Sequence, residues 1–130
     1  MTRVLLAVFA FGLATALAST ATAEEVAKLP KETCVKPCAE CANECATCMK
    51  HCREMKMEEV ARQCEICHHV CLACSLAVGS KNFNSWQICE TCEAVCKNCA
   101  AMCDKGNHEQ MKKCAEACRA CAKACADARK

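Results

Sequence analysis

The sequence of 130 residues is poor in the large apolar side chains from which protein cores are usually built. It has no tyrosine, three phenylalanines and one tryptophan. Beyond residue 23, the large aliphatic and aromatic residues are Leu29, Leu72, Leu76, Ile66, Ile88, six valines, Phe83 and Trp86. An ordinary core for a domain of this size buries far more apolar surface. Another component must therefore fill the interior and hold it together.

The sequence also lacks a surplus of either charge. Lysine and arginine number 17 against 15 aspartates and glutamates, and loss of the segment that contains Arg3 would leave 16 against 15. Proteins that bind nucleic acids have a basic patch or stripe, so nucleic acid is not an expected partner. No stretch beyond residue 23 is apolar enough to span a bilayer. We therefore expect no membrane association once the N-terminal segment is removed.

Residues 1–23 have the pattern of a secretory signal peptide. Arg3 gives a positive start, Val4–Leu17 is an apolar run, and Ala21-Thr22-Ala23 matches an A-x-A cleavage site. The run is too short for a membrane-spanning helix, and the absence of a twin arginine favours the general secretory route. The sequence thus predicts a leader over 1–23 and one domain over 24–130. It predicts a protein exported to a bacterial periplasm or secreted.

Cysteine is abundant, and its spacing is regular. The 19 cysteines form four runs. These are Cys34, Cys38, Cys41, Cys45, Cys48, Cys52; Cys64, Cys67, Cys71, Cys74; Cys89, Cys92, Cys96, Cys99, Cys103; and Cys114, Cys118, Cys121, Cys125. Steps of three and four residues alternate strictly within each run. This is the a/d spacing of a helix that packs on its neighbours, whereas a strand would need a period of two.

Residues that favour turns fall between the runs. Gly79-Ser80-Lys81-Asn82 separates the second run from the third, and Asp104-Lys105-Gly106-Asn107 separates the third from the fourth. We expect Gly106 to cap a helix C-terminus. The stripe loses its phase between the first two runs, which predicts a tight turn near Lys56. The fold class predicted is all-α, an antiparallel up-down-up-down four-helix bundle with a cysteine-lined core.

Stripes of inward thiols predict metal binding. Two thiols one helical turn apart lie on one face, so they can share a metal ion with a thiol from a facing helix. Soft thiolates select Cu(I) and Zn(II). Zinc prefers closed sites of four ligands, and a continuous ladder of 19 cysteines does not divide into fours. Cu(I) accepts two or three sulfurs, and bridging sulfurs would allow on the order of fifteen to twenty ions.

All 19 cysteines are therefore candidate ligands for multiple Cu(I) ions, in a store or buffer. We expect no enzyme, because no general base stands beside a nucleophile. Copper ions are the expected partners. A copper chaperone, a cuproenzyme and a second copy of the chain are further candidates.

Three methionines extend the cysteine stripes. Met55 follows Cys52 in phase, and Met57 and Met111 precede the second and fourth runs. Alternating helix direction brings all three to one end of the bundle, with His51, Met102 and His108 nearby. Thioether and imidazole are weaker copper ligands, so we predict an uptake site formed by Met55, Met57, Met111 and His108. At the other end, the expected plug is Leu76, Val78, Phe83, Trp86 and Ile88.

Other interpretations stay open at this point. A cysteine-rich exported chain can be a disulfide-stapled helical interaction protein, although an odd number of cysteines cannot all pair. The core could sequester zinc or another soft metal, or stay reduced and inert. Cys64-Glu65-Ile66-Cys67-His68 matches the CxxCH attachment motif of c-type haem. A heptad of cysteines, however, creates CxxC steps without any role in haem binding.

The sequence resembles the cysteine-rich four-helix-bundle copper storage proteins of bacteria. The closest stretch is Cys114–Cys125, preceded by His108, and Cys89–Cys96 is similar to the third helix of the family. The resemblance extends over nearly all of residues 24–130. It implies thiolate-bound Cu(I) along the bundle core and an open end lined with methionine or histidine. The secretory-type leader is a departure, because folded copper proteins are often exported with the metal already bound.

Overall fold

A computed structural model describes residues 28–130, and within that range the chain is helical and has no strand. A short 3₁₀ turn, Glu32–Cys34, precedes four α-helices. These are α1 (Val35–Glu54), α2 (Glu58–Gly79), α3 (Ser85–Cys103) and α4 (Glu109–Ala128). The four predicted helices are confirmed. The predicted signal peptide, residues 1–23, lies outside the described residues.

The helices form an antiparallel bundle. Each helix packs against its two neighbours in the ring α1, α2, α3, α4, and diagonal helices make no close backbone approach. Sulfur pairs give the register between α1 and α4, where residue numbers rise along one helix and fall along the other: Cys38–Cys125, Cys41–Cys118 and Cys45–Cys114. Cys67–Cys96 and Cys71–Cys92 show the same relation between α2 and α3. The predicted up-down-up-down topology is confirmed.

The core is made of sulfur and small side chains. All 19 cysteines have 0% exposure, and alanines such as Ala42, Ala61 and Ala115 are buried beside them. The largest fully buried side chains other than cysteine are Met111 and Val78. A buried thiol behaves as a small hydrophobic group, so cysteine supplies the apolar volume that leucine and phenylalanine supply elsewhere. Within residues 28–130, none of the helices combines the length and apolarity needed to cross a bilayer.

Two of the turns end a helix with a lysine in the left-handed region. Lys56 has φ 59° and Lys81 has φ 54°. After α1, the amide of Met57 donates to the carbonyl of Cys52 at 2.8 Å, and after α2 the amide of Asn82 donates to that of Ala77 at 2.9 Å. These are the bonds of a Schellman motif, in which glycine is the usual left-handed residue. The turn predicted near Lys56 is confirmed.

The turn between α3 and α4 differs from the prediction. Gly106 does not have a positive φ, and the C-cap of α3 is Asp104. The expected capping role of Gly106 is therefore wrong. A Cβ atom at this position would collide with the Sδ atom of Met111, so the glycine leaves space for the flexible end of a buried side chain.

The end of the bundle opposite this turn, where residues 28–34, the 80–84 turn and residues 129–130 meet, is called the terminus end. Leu76 is 72% exposed and Phe83 is 80% exposed, so the expected plug is wrong for both. Leu76 falls between the stripe positions Cys74 and Val78 and faces outward. Val78 alone of that set is buried, at 2%. Backbone bonding closes this end, because the amide of Lys31 donates to the carbonyl of Ala128 at 2.8 Å.

Candidate metal centre

The thiols form one continuous sulfur network along the bundle axis. Neighbouring sulfurs on one helix lie one turn apart, as in Cys41–Cys45 at 3.9 Å and Cys48–Cys52 at 3.8 Å. Sulfurs on adjacent helices approach as closely as 3.5 Å, between Cys38 and Cys125. Diagonal helices, whose backbones stay apart, also meet through sulfur, as in Cys67–Cys118 at 3.8 Å and Cys41–Cys96 at 3.9 Å. The predicted inward stripes thus converge into a single three-dimensional array.

Groups of four sulfurs within 4.8 Å of one another recur along this array. They include Cys34, Cys38, Cys74, Cys125; Cys38, Cys92, Cys121, Cys125; Cys41, Cys67, Cys71, Cys96; Cys41, Cys45, Cys67, Cys118; and Cys45, Cys99, Cys114, Cys118. Several groups share members: six of these sulfurs belong to two groups each, those of Cys38, Cys41, Cys45, Cys67, Cys118 and Cys125. Separate tetrahedral zinc sites would each need four sulfurs of their own. Shared sulfurs suit bridging thiolates, which is how soft Cu(I) ions form clusters.

Burial and sulfur hydrogen bonds shift the thiol pKa values in opposite directions. Burial is the main cause that raises the pKa of Cys52 to about 12. Hydrogen bonds from neighbouring thiols, first that of Cys114, lower the pKa of Cys103 to about 5. The hydrogen bond with Cys118 is the first cause of a raised pKa at Cys96. The direction of the pKa shift thus differs from one thiol to the next, and a full metal load must displace the protons that the neutral thiols hold.

The end that includes residues 55–57 and 104–108 is called the methionine end. Met111 is fully buried against Gly106, and Met57 is partly buried against the core. Met55 is 47% exposed and lies at the C-cap of α1. The sulfurs nearest this end include Cys103, which lies 4.0 Å from Cys48 and 3.9 Å from Cys64. The helices thus place the three methionines at one end with unequal access to the core.

Two histidines meet at the methionine end. His108 is the N-cap of α4, and its ring lies edge-to-face with that of His51 at 5.2 Å between centroids. The Nε2 atom of His51 is buried and has no hydrogen-bond partner. Heptad phase alone left the role of His51 open, because position 51 flanks the stripe. The ring contact with His108 results from packing between α1 and the start of α4.

The CxxCH motif has a structural role in this bundle. The sulfurs of Cys64 and Cys67 both face the sulfur network, 3.9 Å from Cys103 and 3.8 Å from Cys118 respectively. The Nδ1 atom of His68 hydrogen-bonds with the carbonyl oxygen of Ala42 at 2.8 Å and so links α2 to α1. His69 is exposed beside it. Because both thiols take part in the sulfur network, this geometry does not favour haem attachment.

All 19 cysteines are free thiols in the structure. The disulfide-stapled interpretation thus has no support from the described residues. Ser85 is a further buried position on the stripes, which the cysteine spacing alone does not mark. It lies four residues before Cys89 in phase, is 0% exposed, and has no partner for its hydroxyl. One more step of the third stripe reaches it.

A four-helix bundle whose axis is a continuous array of free thiols defines a class of proteins that hold many soft metal ions. Residues 20–130 match the sequence profile of the copper storage protein (Csp) family, and the chain belongs to this family. The resemblance inferred from the sequence is therefore confirmed.

Solved structures support the same assignment. The chain is similar to the Cu(I)-bound copper storage protein BsCsp3, with 26% sequence identity and a TM-score of 0.72 over 76% of this chain and 97% of that one. It is also similar to apo-Csp3 from Bacillus subtilis, with 27% identity and a TM-score of 0.72 over 76% and 98%. A comparison with curated protein sequences gives no significant match.

Proposed function

We propose that this protein stores Cu(I), many ions per chain, on the thiolates of its core. The observation that supports this most directly is that groups of four sulfurs recur along the bundle and that six of the sulfurs each belong to two groups. A catalytic or structural metal site needs only one such group. Nineteen buried thiols in one network provide the capacity of a store. Membership of the copper storage protein family and the similarity to a Cu(I)-bound relative point to the same cargo.

The protein binds copper without catalysing a reaction. Cysteine sulfurs surrounded by other sulfurs supply soft ligands, and their protons leave as metal binds. The stored copper serves either a later delivery or protection from the free ion. In both cases affinity and capacity, rather than turnover, are the properties of interest.

Copper passes through the methionine end in this proposal. Met57 and Met111 lie against the core beside the last thiols, and the ring of His108 contacts that of His51. Thioether and imidazole bind copper more weakly than thiolates do, so an ion can pause there and then move inward. Met55, with its exposed side chain, would be the first of the three methionines that an arriving ion meets.

The protein is exported in this proposal, through a leader over residues 1–23. The match to the copper storage protein family begins at residue 20, so it includes almost none of that leader. A copper chaperone that delivers the ion, or a cuproenzyme that receives it, is the kind of protein partner that this function needs. Expression with and without residues 1–23, followed by fractionation of the cell, tests export.

The outward face of α2 supports self-association. No charged residue occurs between Ile66 and Ser80, and Leu72 and Leu76 are exposed on this stretch. An uncharged helical face can pack against its own copy without separating ion pairs from water. Light scattering of the wild type and of a Leu76→Glu variant tests this. The new charge would disrupt a dimer, whereas the fold of the single chain should tolerate it because position 76 is exposed.

Anaerobic titration of the reduced protein with Cu(I), in competition with a Cu(I) chelator, tests the storage function. We expect tight binding of well over about ten ions per chain, since bridging allows nearly one ion per thiol. A parallel titration with Zn(II) should saturate at about four ions, the number of separate four-thiol sites that nineteen cysteines allow. Copper saturation at about four or fewer ions would contradict storage.

A further inference from the structure

A mostly buried arginine lies at the terminus end of the thiol core. The side chain of Arg129, just after α4, is only 14% exposed. Its guanidinium donates to the carboxylate of Glu93, whose side chain is 16% exposed, and lies 3.9 Å from that of Glu90. It also stacks over the ring of Trp86, 5.7 Å from the centroid. All three partners belong to α3.

These contacts connect the last turn of α4 to the first turns of α3. Cys125 lies one helical turn before Arg129, and Cys89 lies between Trp86 and Glu93 in sequence. The thiol of Cys89 donates to the carbonyl oxygen of Cys125 at 3.4 Å, at the same junction. The group of Arg129, Glu93 and Trp86, called the arginine clamp, therefore stands beside the outermost sulfurs of the terminus end.

The clamp is stronger than a surface ion pair. Exposed pairs contribute little to stability because water screens them, but this guanidinium and the Glu93 carboxylate are both mostly buried. Planar guanidinium also stacks on indole, which lysine does not reproduce. Burial has a cost here as well, because the Nε atom of Arg129 is buried without a hydrogen-bond partner. Burial of the Arg129 side chain despite this cost suggests that its contacts between α4 and α3 have a role.

Different groups therefore lie at the two ends of the core. At the methionine end the cover is Met111, a flexible side chain that adapts easily. At the terminus end the cover is the arginine clamp together with the backbone bond from Lys31 to Ala128. We propose that Arg129 is a positioning residue that seals the terminus end, so that copper and other reagents reach the thiols from the methionine end only. The part of this proposal that concerns copper rests on the storage function.

Thiol alkylation of the metal-free protein with iodoacetamide, mapped by peptide mass spectrometry, tests the seal. In an Arg129→Ala variant, Cys34, Cys89 and Cys125 should react faster by on the order of tenfold, because local opening of this end becomes easier. Cys52 and Cys103, at the methionine end, should react at the wild-type rate. Arg129→Lys should restore the seal only in part, since it keeps the charge but loses the stacking.

Lys130→Ala is the matched control. It removes an adjacent cation whose side chain is 74% exposed and whose partner is Asp127, and it should change no alkylation rate. Acceleration of all thiols together in Arg129→Ala would indicate a general loss of stability and overturn the proposal. Unchanged rates at Cys34, Cys89 and Cys125 would overturn it as well.

Copper removal from the loaded protein by a bulky chelator gives a second, independent measurement. Arg129→Ala should release copper faster than the wild type, with the same total capacity, and Lys130→Ala should match the wild type. If Arg129→Ala released copper at the wild-type rate, the proposal that Arg129 keeps copper from leaving through the terminus end would be refuted. A low capacity in the wild type would instead refute storage, and the alkylation result, obtained without metal, would still decide whether the clamp is a seal.

Discussion

Gly106 and Met111 share one space at the methionine end. The side chain of Met111 lies where a Cβ atom on Gly106 would stand, and Met111 is fully buried there. The glycine therefore determines how far the thioether can withdraw into the end of the bundle. A methyl group added at position 106 would have to move the flexible end of the methionine, which costs less than moving backbone.

We expect Gly106→Ala to keep the fold and to displace the side chain of Met111. Metal-free protein should then expose the thiols at this end, so alkylation of Cys52 and Cys103 should accelerate severalfold while the distant Cys89 reacts as before. Mapped alkylation measures this. Gly79→Ala is the control, because a Cβ there would meet only Val35 at 3.9 Å, an ordinary contact. Equal rates in Gly106→Ala and the wild type would mean that Met111 does not cover the core.

Replacement of Met55, Met57 and Met111 together by leucine removes soft ligands but retains volume and apolarity. Copper capacity should stay near that of the wild type, because the thiolates are untouched. Uptake, and removal by a chelator, should become slower, which stopped-flow or timed competition measures. Alkylation of the metal-free variant should be unchanged, since the cover is still present. Wild-type transfer rates would show that these methionines only pack.

Copper should stabilise the fold. The domain has few large apolar residues, and an ion that binds only the native state adds its binding free energy to folding. The unfolding midpoint should therefore rise clearly with each added portion of Cu(I), as followed by circular dichroism. A midpoint that does not respond to copper would mean that the thiols are not the ligands or are already engaged.

The metal-free protein should lose stability in alkaline solution. Burial raises the pKa of Cys52 from 9.0 to about 12, so the unfolded chain releases this proton at lower pH than the native one. The contribution of Cys52 to the free energy of unfolding is thus fully present below pH 9, and it is lost as the pH rises towards 12. Thermal unfolding of metal-free protein between pH 7 and about 11 measures this. The copper-loaded protein should show a weaker dependence, since its thiols are already deprotonated.

Lys56 and Lys81 hold left-handed conformations that disfavour any residue with a Cβ atom. Lys56→Gly and Lys81→Gly should each stabilise the protein by roughly 0.5–1 kcal/mol, after the added flexibility of the unfolded chain is counted. Lys50→Gly, at an exposed position inside α1, should instead destabilise it by about 1 kcal/mol. Chemical denaturation of the three variants gives these values. Destabilisation by all three would mean that the lysine side chains matter at the turns.

The sequence by itself determined the bundle and its lining. Steps of three and four residues from Cys34 to Cys125 place every thiol on an inward helix face, because side-chain direction in a helix depends only on spacing along the chain. The same spacing locates the helix ends to within a few residues, and its loss of phase near Lys56 locates the first turn. The soft-metal chemistry follows from the ligand type.

Only the tertiary structure decided what covers the two ends. Whether Leu76 or Phe83 plugs the bundle, whether Gly106 caps a helix or accommodates Met111, and whether His51 meets His108 depend on side chains from different helices. The arginine clamp is of the same kind, since Arg129 and Glu93 are 36 residues apart. Heptad spacing specifies the direction of a side chain from its own helix. It does not specify which residue of another helix, or of a turn, occupies the space in front of it.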